Sequence, residues 1–251
     1  MAVVARETEP VEPFTKLRQP SRLRLVDGVA HSLEDGILAG RMRPGERLIE
    51  TKLCDELNVS RTTLREALLM LERRGLVRSE PRRGTFVTRL SREESMDLCA
   101  TRAILEAYAV SIGFEQFDDA VFVRLEALLD DLATCNLPDD TPRVIQIDLA
   151  FHRLLIDGCD SRRIRELWSS LDGEMSALIL SSIEHYHAGI DDLVAFHRVL
   201  LDAIRTGDPE VAREGVIVHY VGVDGQRQNS LTELGALIEA MARRTRVKRE
   251  T

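Results

Sequence analysis

The chain carries one aspartate and three histidines whose side chains and spacing suit a metal site: Asp148, His152, His197 and His219. Asp148 and His152 are four residues apart, so a helix would place both on one face, with their Cβ atoms about 5–6 Å apart. His197 and His219 lie among apolar residues of two other helical segments, as expected of side chains that point into a bundle. A single buried histidine is usually a hydrogen-bonded core residue. The spacing alone therefore leaves two interpretations open, separate core residues or one shared metal ion.

Three neutral imidazoles and one carboxylate suit Zn²⁺, Ni²⁺ or Mn²⁺, and the nitrogen content favours Zn²⁺ or Ni²⁺. A five- or six-coordinate ion would keep positions open for the carboxylate oxygens of a small organic acid. Arg102 is a candidate to clamp the same acid, because a guanidinium can hold a carboxylate through two hydrogen bonds. The alternative for Arg102 is an ordinary salt bridge to Glu106, four residues further along the same helix. The sequence does not decide between these two roles.

A second candidate site is a pair of arginines, Arg61 and Arg65, in the segment that covers residues 59–77. Ser60 is suited to cap a helix there, and Gly75 is suited to end it. An apolar stripe at helical intervals would be buried, and it consists of Leu64, Ala67, Leu68 and Leu71. The two arginines lie off that stripe, on one face near the helix N-terminus, where a recognition helix meets bases and phosphates.

The flanking segments indicate how this helix is held. Residues 51–57 predict a short helix, and a tight turn follows at Asn58-Val59, which is helix-turn-helix spacing. Downstream, residues 76–79 and 85–88 predict two short strands. The turn between these strands holds Arg82, Arg83 and Gly84. A basic hairpin at this distance is typical of the wing of a winged helix-turn-helix domain.

Charge is divided unevenly along the 251 residues. Residues 1–92 hold 18 Lys and Arg against 13 Asp and Glu, a balance of +5, whereas residues 93–251 hold 16 against 29, a balance of −13. Only the first part suits contact with nucleic acid. No apolar run reaches the roughly 18 residues of a transmembrane helix, and the N-terminus lacks the core of a signal peptide. The four cysteines show no zinc-finger or disulfide spacing. We therefore expect a cytoplasmic protein with no membrane contact and a disordered tail over residues 1–20.

The second half predicts almost only helices, so the expected fold class is mainly α. A capping box at Ser91 and Glu94 opens a helix that runs to about residue 112. Another begins near residue 118, and Thr141 and Pro142 supply an N-cap and a proline at the first position of a third. Three more are predicted over residues 161–187, 190–206 and 209–223. Six helices with short links indicate a bundle.

The first half resembles the GntR superfamily of bacterial transcription regulators. The resemblance covers residues 23–88 and rests on GRMRPGERL, on VSRTTLREAL, on ERRGLV and on the arginines and glycine of the wing. It implies a winged helix-turn-helix domain, which we place at residues 21–90, and it carries DNA contacts over to Arg61, Thr62, Arg65 and Gly84. With the helix cap and the basic hairpin, the candidate DNA-binding residues are Ser60, Arg61, Thr62, Thr63, Arg65, Arg82, Arg83 and Gly84. We expect a homodimer that binds an inverted repeat in double-stranded operator DNA.

The second half resembles the all-helical FCD effector domain of FadR-type GntR regulators. Landmarks of that domain are matched by Arg102 and Glu106, by Asp148 and His152, and by His197 and His219, which are 22 residues apart. The resemblance implies that the aspartate and the three histidines bind a divalent metal, and it places the chain in the metal-containing, small-carboxylate branch. We expect an effector- and metal-binding domain over residues 91–228 and a C-terminal helix or basic tail over residues 229–251.

These features together predict a ligand-responsive repressor and not an enzyme. One alternative is a metal-sensing regulator, in which the metal itself is the signal and no organic effector exists. The other is a metalloenzyme fused to a DNA-binding domain. An enzyme would need a general base near the metal, and no glutamate of the HExxH type accompanies the ligands.

Overall fold

The N-terminal half is a helical unit with a small sheet. A computed structural model describes residues 22–186 and 189–222. The helices are α1 (Arg22–Leu38), α2 (Glu50–Leu57) and α3 (Arg61–Arg73). The strands are β1 (Arg47–Leu48), β2 (Val77–Glu80) and β3 (Gly84–Val87). The tails predicted over residues 1–20 and 229–251 lie outside the described residues.

The sheet has three antiparallel strands in the order β1-β3-β2. The hairpin predicted from the sequence is confirmed as β2 and β3, with Val77 opposite Val87. The strand β1 was not predicted, because two residues are too few to show the alternation that indicates a strand. It pairs with β3 and places Arg47 opposite Phe86, beside the wing.

The helix-turn-helix is also confirmed, and two local features make its turn. Asn58 adopts the left-handed conformation, with φ 51° and ψ 49°, and its N–H donates to the Cys54 carbonyl. Ser60 then caps α3, since its Oγ accepts a 3.1 Å hydrogen bond from the Thr63 N–H. The predicted stripe of α3 is buried together with Leu33 and Ile37 of α1. The recognition helix α3 and the first helix, α1, thus share one hydrophobic core.

The C-terminal half is helical throughout the described residues apart from short connections. Its helices are α4 (Arg92–Ile112), α5 (Asp119–Ala133), α6 (Thr141–Asp157), α7 (Arg162–Ser169), α8 (Asp172–Tyr186), α9 (Ile190–Arg205) and α10 (Pro209–Gly222). A short 3-10 turn, Phe114–Gln116, links α4 to α5. The predicted capping box forms at the start of α4. The mainly α fold class, with a winged helix-turn-helix before a helical domain, is therefore confirmed. Within the described residues, no helix is both long enough and apolar enough to cross a membrane.

Two predictions about helix ends were wrong. The segment predicted as one helix over residues 161–187 is divided into α7 and α8, with a turn at Ser170 and Leu171. The apolar periodicity continues across that turn, so the pattern did not reveal it. Thr141 is the first residue of α6 and not its cap, which is Asp140. The Thr141 hydroxyl instead donates to the Pro138 carbonyl at 2.7 Å.

The two halves share apolar packing. Ile145 of α6 and Leu180 of α8 belong to the same buried cluster as the core of the winged half. The helix α1 lies against both α6 and α8. Because these side chains are almost fully buried, a shift of α8 changes the surface on which the winged half rests.

Candidate metal centre and DNA interface

The structure brings the three candidate histidines together from three helices, and Asp148 contacts one of them, His197. Asp148 and His152 lie on α6, His197 on α9 and His219 on α10. The Nε2 atoms of His152 and His219 are 3.1 Å apart, and His197 Nε2 lies 3.1 Å from Asp148 Oδ1. One nitrogen from each imidazole lies within 4.8 Å of the other two. Ligand atoms around one ion with bonds of about 2.1 Å are separated by about 3.0–3.4 Å, so the spacing fits a metal.

Hydrogen bonds on the far side of two rings fix which nitrogen faces the centre. His152 Nδ1 lies 2.8 Å from Glu106 Oε1, and a carboxylate can only accept there. His197 Nδ1 donates to the Leu193 carbonyl at 2.8 Å. Both rings therefore turn Nε2 toward the centre. Metal-binding histidines are usually held in this way, because the outer hydrogen bond sets the tautomer and the ring orientation.

The centre contains polar atoms that the protein alone does not satisfy. His197 Nε2 is buried and, among the described residues, makes no hydrogen bond of normal geometry, although it faces Asp148. At 3.1 Å, a proton or a metal cation must lie between this nitrogen and the carboxylate oxygen, because two lone pairs would repel each other. His152 Nε2 and His219 Nε2, by contrast, are within hydrogen-bond distance of each other, and the unsatisfied atom of His219 is its Nδ1. The donor set therefore fits a divalent cation better than it fits a self-contained core.

Burial and neighbouring charges shape the protonation of the ligands. Burial by itself raises the pKa of Asp148, but the imidazoles around it, His197 foremost, outweigh burial and hold the pKa below its ordinary range. Burial lowers the pKa of His219 well below its ordinary value, and the neighbouring histidines act in the same direction. Burial also lowers the pKa of His152, but the Glu106 carboxylate outweighs burial and raises it. Because metal binds the ionised carboxylate and the neutral imidazole, it competes with a proton at His152.

Glu106 is a central acceptor behind the ligands, and the sequence did not assign it this role. It is fully buried and takes hydrogen bonds from three other helices. Besides His152, its donors are Trp168 Nε1 at 3.3 Å and the Tyr220 hydroxyl at 3.0 Å. Its position four residues after Arg102 was visible in the sequence, but its partners lie 46 to 114 residues away.

Arg102 does not occupy either of the positions expected of it. The alternative salt bridge to Glu106 is replaced by one to Asp172, with Arg102 Nη2 2.7 Å from Asp172 Oδ1. The guanidinium also stacks on Trp168, with its central carbon 3.9 Å from the ring centroid. Arg102 is fully buried and is not among the described residues that line the cavity beside the histidines. A direct contact with an acid at the metal would require Arg102 to leave Asp172.

A small cavity adjoins the histidines. It has a volume of about 30 Å³, which is about the space of one water molecule. Apart from the ligands and Tyr220, the described residues that line it are Met175, Ile179, Ser182, Ile183, Leu193 and Phe196. The wall is therefore apolar except for one serine hydroxyl.

The recognition helix presents the predicted arginines at its exposed end. Arg61 and Thr62 are exposed, whereas Thr63 is buried and its hydroxyl lies 2.9 Å from Ser60 Oγ. Ser60 and Thr63 thus hold the helix start. Arg65 is exposed but donates from Nε to Glu50 Oε2 at 2.9 Å.

The wing has a strained tip with several basic side chains. Arg82 and Gly84 both have positive φ, 64° and 109°. Arg83 pairs with Glu80 and lies over the Phe86 ring. A Cβ added at Gly84 would lie 3.2 Å from Arg47 Nε. Sequence reasoning missed Arg47, because only the pairing of β1 with β3 brings this exposed arginine to the wing.

The structure thus joins a winged helix-turn-helix to a helical bundle that encloses a cluster of three buried histidines. Residues 25–87 match the family of bacterial regulatory proteins called the gntR family, and residues 97–222 match the FCD domain. The chain belongs to the GntR family and carries an FCD domain. It is accordingly a DNA-binding transcription regulator.

Relatives of known name agree with this assignment. The chain is 27% identical over 192 residues to the uncharacterized HTH-type transcriptional regulator YdhC of Bacillus subtilis, covering 76% of this chain and 85% of that one. It is 25% identical over 203 residues to the gluconate operon transcriptional repressor of Bacillus licheniformis, covering 79% and 83%. A crystal structure of a GntR transcriptional regulator from Rhodococcus sp. RHA1 superposes with a TM-score of 0.62 at 28% identity, covering 86% of this chain and 97% of that one.

Proposed function

We propose that this regulator is a homodimeric repressor whose FCD domain binds one divalent metal and a small carboxylate effector. Asp148, His152, His197 and His219 hold the ion, which is Zn²⁺, Ni²⁺ or Mn²⁺. The acid binds at an open position of the metal and changes operator affinity. One observation carries the proposal: His197 Nε2 is buried 3.1 Å from Asp148 Oδ1 without a hydrogen bond of normal geometry to any described residue, beside the His152 and His219 Nε2 atoms, which lie 3.1 Å apart.

The shape and lining of the cavity limit which acids can bind there. A metal-bound carboxylate needs no other cation, but the rest of the molecule must lie against Met175, Ile179 and Phe196. A sugar acid would bury several hydroxyl groups there, and each unsatisfied one costs about 1–3 kcal/mol. Gluconate is nevertheless the first acid to test, because a gluconate operon repressor is a relative. We expect a compact acid with an apolar substituent to bind more tightly than gluconate.

DNA binding as a dimer is supported by an apolar stripe on α4. Ile104, Tyr108 and Ile112 follow one another at intervals of four residues and are 69%, 54% and 53% exposed. We assign this stripe to the second copy of the chain, because an inverted repeat requires two winged domains related by a two-fold axis. Tyr108→Asp should give a monomer in sedimentation and weaken operator binding, whereas the same substitution at the isolated exposed Val123 should do neither.

The metal-sensing alternative is favoured by the size of the cavity. A volume of about 30 Å³ admits a water ligand and excludes an organic acid unless neighbouring side chains move. The two functions differ in what changes DNA binding. A sensor responds to free metal alone, whereas an effector-binding regulator keeps its metal and responds to acid.

Elemental analysis and melting curves test the metal site. We expect about one divalent ion per chain, and chelation should lower the melting temperature because the metal binds the folded state alone; at a hundredfold excess over Kd this is worth about 2.7 kcal/mol. His197→Ala should reproduce the effect of the chelator. His31→Ala is the control, since His31 is an exposed histidine on α1. If the protein contains no metal and chelator leaves its melting temperature unchanged, the histidines are separate core residues and not metal ligands.

A further inference from the structure

Asp172 joins the interior of the FCD domain to the contact with the winged half. It is the first residue of α8 and receives one arginine on each carboxylate oxygen. Arg102, fully buried, donates to Oδ1 at 2.7 Å, and the exposed Arg153 donates to Oδ2 at 2.7 Å. The start of α8 is therefore held from the inside by a side chain that has no contact with solvent.

On the inner side, a continuous set of buried contacts leads from Arg102 to a candidate metal ligand. Arg102 stacks on Trp168 at 3.9 Å, and Trp168 Nε1 donates to Glu106. Glu106 in turn accepts from His152 Nδ1 at 2.8 Å. Each of these side chains is at most 2% exposed, so none can move without displacing its neighbour.

On the outer side, the residues after Asp172 press against the end of the recognition helix. A Cβ on Gly173 would lie 1.8 Å from the Arg74 carbonyl oxygen, and a Cβ on Gly75 would lie 2.7 Å from Glu174 Cγ. Arg74 is the C-cap of α3, and Gly75 follows with φ of 81°. Two glycines thus permit backbone contact between the start of α8 and the end of α3.

We infer that Arg102 and Asp172 are positioning residues that transmit the state of the metal centre to the recognition helix. The inference rests on metal binding at the proposed site, and it follows the metal-sensing alternative, in which the bound ion itself changes DNA binding. A metal at His152 Nε2 would shift the imidazole ring, and the opposite nitrogen of that ring is hydrogen-bonded to Glu106. Glu106 holds Trp168, Trp168 supports Arg102, and Arg102 sets the place of Asp172 at the start of α8. Because Gly173 touches Arg74 through its backbone, a displacement there changes the tilt of α3.

The chain offers a matched control for the central pair. Arg205 also pairs with a carboxylate, Glu126, at 2.7 Å, and its guanidinium also lies over an aromatic ring, that of Phe122 at 5.3 Å. This second pair joins α9 to α5, and both of its side chains are more than a third exposed. It resembles the first in chemistry but reaches neither the histidines nor the winged half.

The experiment measures how Zn²⁺ changes DNA affinity in full-length Asp172→Asn and Glu126→Gln. The DNA is a duplex selected by the wild-type protein from a random pool, and binding is followed by anisotropy with chelator or with one equivalent of Zn²⁺. Zn²⁺ stoichiometry is measured on each protein. Trp168 is the only tryptophan of the chain, so its fluorescence reports separately whether Zn²⁺ binding changes the buried contacts between His152 and Arg102.

We expect Zn²⁺ to change wild-type affinity at least about fivefold, within the usual range of coupling between sites. Asp172→Asn should still bind Zn²⁺ with a change in Trp168 fluorescence, but its affinity for DNA should change less than about twofold. Glu126→Gln should behave as wild type. Gly173→Ala must shift the outer contact, because its Cβ would lie 1.8 Å from the Arg74 carbonyl oxygen, and should lose the effect as well; it decides the matter if it folds and Asp172→Asn does not.

Two results would overturn the inference while leaving the metal site in place. One is a full Zn²⁺ effect on DNA binding in folded Asp172→Asn or Gly173→Ala. The other is wild-type protein that binds Zn²⁺ stoichiometrically without any change in DNA affinity. Wild-type protein that binds no Zn²⁺ would instead remove the proposed metal function and the inference with it.

Discussion

Arg65, on the exposed face of the recognition helix, donates a 2.9 Å hydrogen bond to Glu50, the first residue of α2. The bond uses Nε alone, so both Nη groups of the same guanidinium could still hold a guanine edge, unless Glu50 turns them away from the groove. Glu50 is therefore either a partner that Arg65 leaves on binding DNA or a support that fixes the direction of Arg65. The two possibilities predict opposite effects of removing the Glu50 charge.

Arg65→Ala should weaken operator binding by about 1–3 kcal/mol and relax sequence preference, because a bidentate contact with a base would be lost. Glu50→Gln should strengthen binding to all sequences if Glu50 only competes with DNA for Arg65. Arg73→Ala, at the opposite end of the same helix, is the control. Anisotropy on operator and scrambled DNA at fixed salt measures all three. Unchanged operator affinity in Arg65→Ala would exclude a base-reading role.

Gly84→Ala tests the wing. A φ of 109° strains any other residue, and the added Cβ would meet Arg47 Nε at 3.2 Å. The tip should be displaced, and DNA binding should weaken for operator and scrambled sequences alike, because we expect the wing arginines to contact phosphates. Gly207→Ala is a matched control, since its φ is 75° and a Cβ there meets no atom within 4 Å. It should lower the melting temperature without changing DNA affinity, and equal losses of DNA binding in the two variants would contradict the wing assignment.

The fold of the winged half could be predicted from sequence because its determinants are local. Ser60 caps the helix that follows it, and the hairpin sequence includes its own turn. The strand β1 was missed because its formation depends on β3, which lies almost 40 residues later. The turn at Ser170 was missed for a related reason. Nothing in the local pattern separates α7 from α8, and the direction of α8 is set by its contacts with α1 and α6.

In the candidate site, too, local features could be predicted from the sequence and long-range contacts could not. Spacing placed Asp148 and His152 on one helix face, and burial of His197 and His219 was expected from their apolar neighbours. The partner of Arg102 could not be predicted, because Asp172 lies 70 residues away on another helix. Glu106 looked like the natural partner by spacing, but its carboxylate faces three donors that a single sequence does not reveal.

Glu106→Gln tests whether the glutamate positions His152 for metal. The amide has only one acceptor oxygen for donors from His152, Trp168 and Tyr220, and its NH₂ group would face one of them. We expect Zn²⁺ affinity to fall about 10–100-fold, as is usual when the outer partner of a metal-bound histidine is lost. Competition with a chromophoric chelator measures this, with Glu126→Gln as the control. A protein that folds and binds Zn²⁺ as tightly as wild type would show that Glu106 has no part in the site.

The last prediction concerns the link between acid and operator. If an acid at the metal weakens operator binding by some factor, operator must weaken acid binding by the same factor, because the coupling free energy is shared. Complete switching, from 1:99 to 99:1, needs a preference of about 10⁴ for one conformation, or about 5.5 kcal/mol. A partial switch of tenfold needs only about 1.4 kcal/mol. Ile179 of α8 and Leu193 of α9 line the small cavity, so we expect these two helices to separate if an acid binds there.

Calorimetry on the metal-loaded full-length protein, with and without operator, tests this reciprocity. The acids should include gluconate, a dicarboxylate and compact 2-hydroxy acids with apolar side chains. We expect one of the compact acids to bind most tightly, to bind more weakly in the presence of operator, and to lose affinity in His197→Ala. Ile179→Ser should shift the preference toward gluconate, because it widens the cavity and adds a hydroxyl to its wall. An acid that binds the metal equally well with and without operator would rule out the regulatory role of the effector, even if DNA and metal binding both stand.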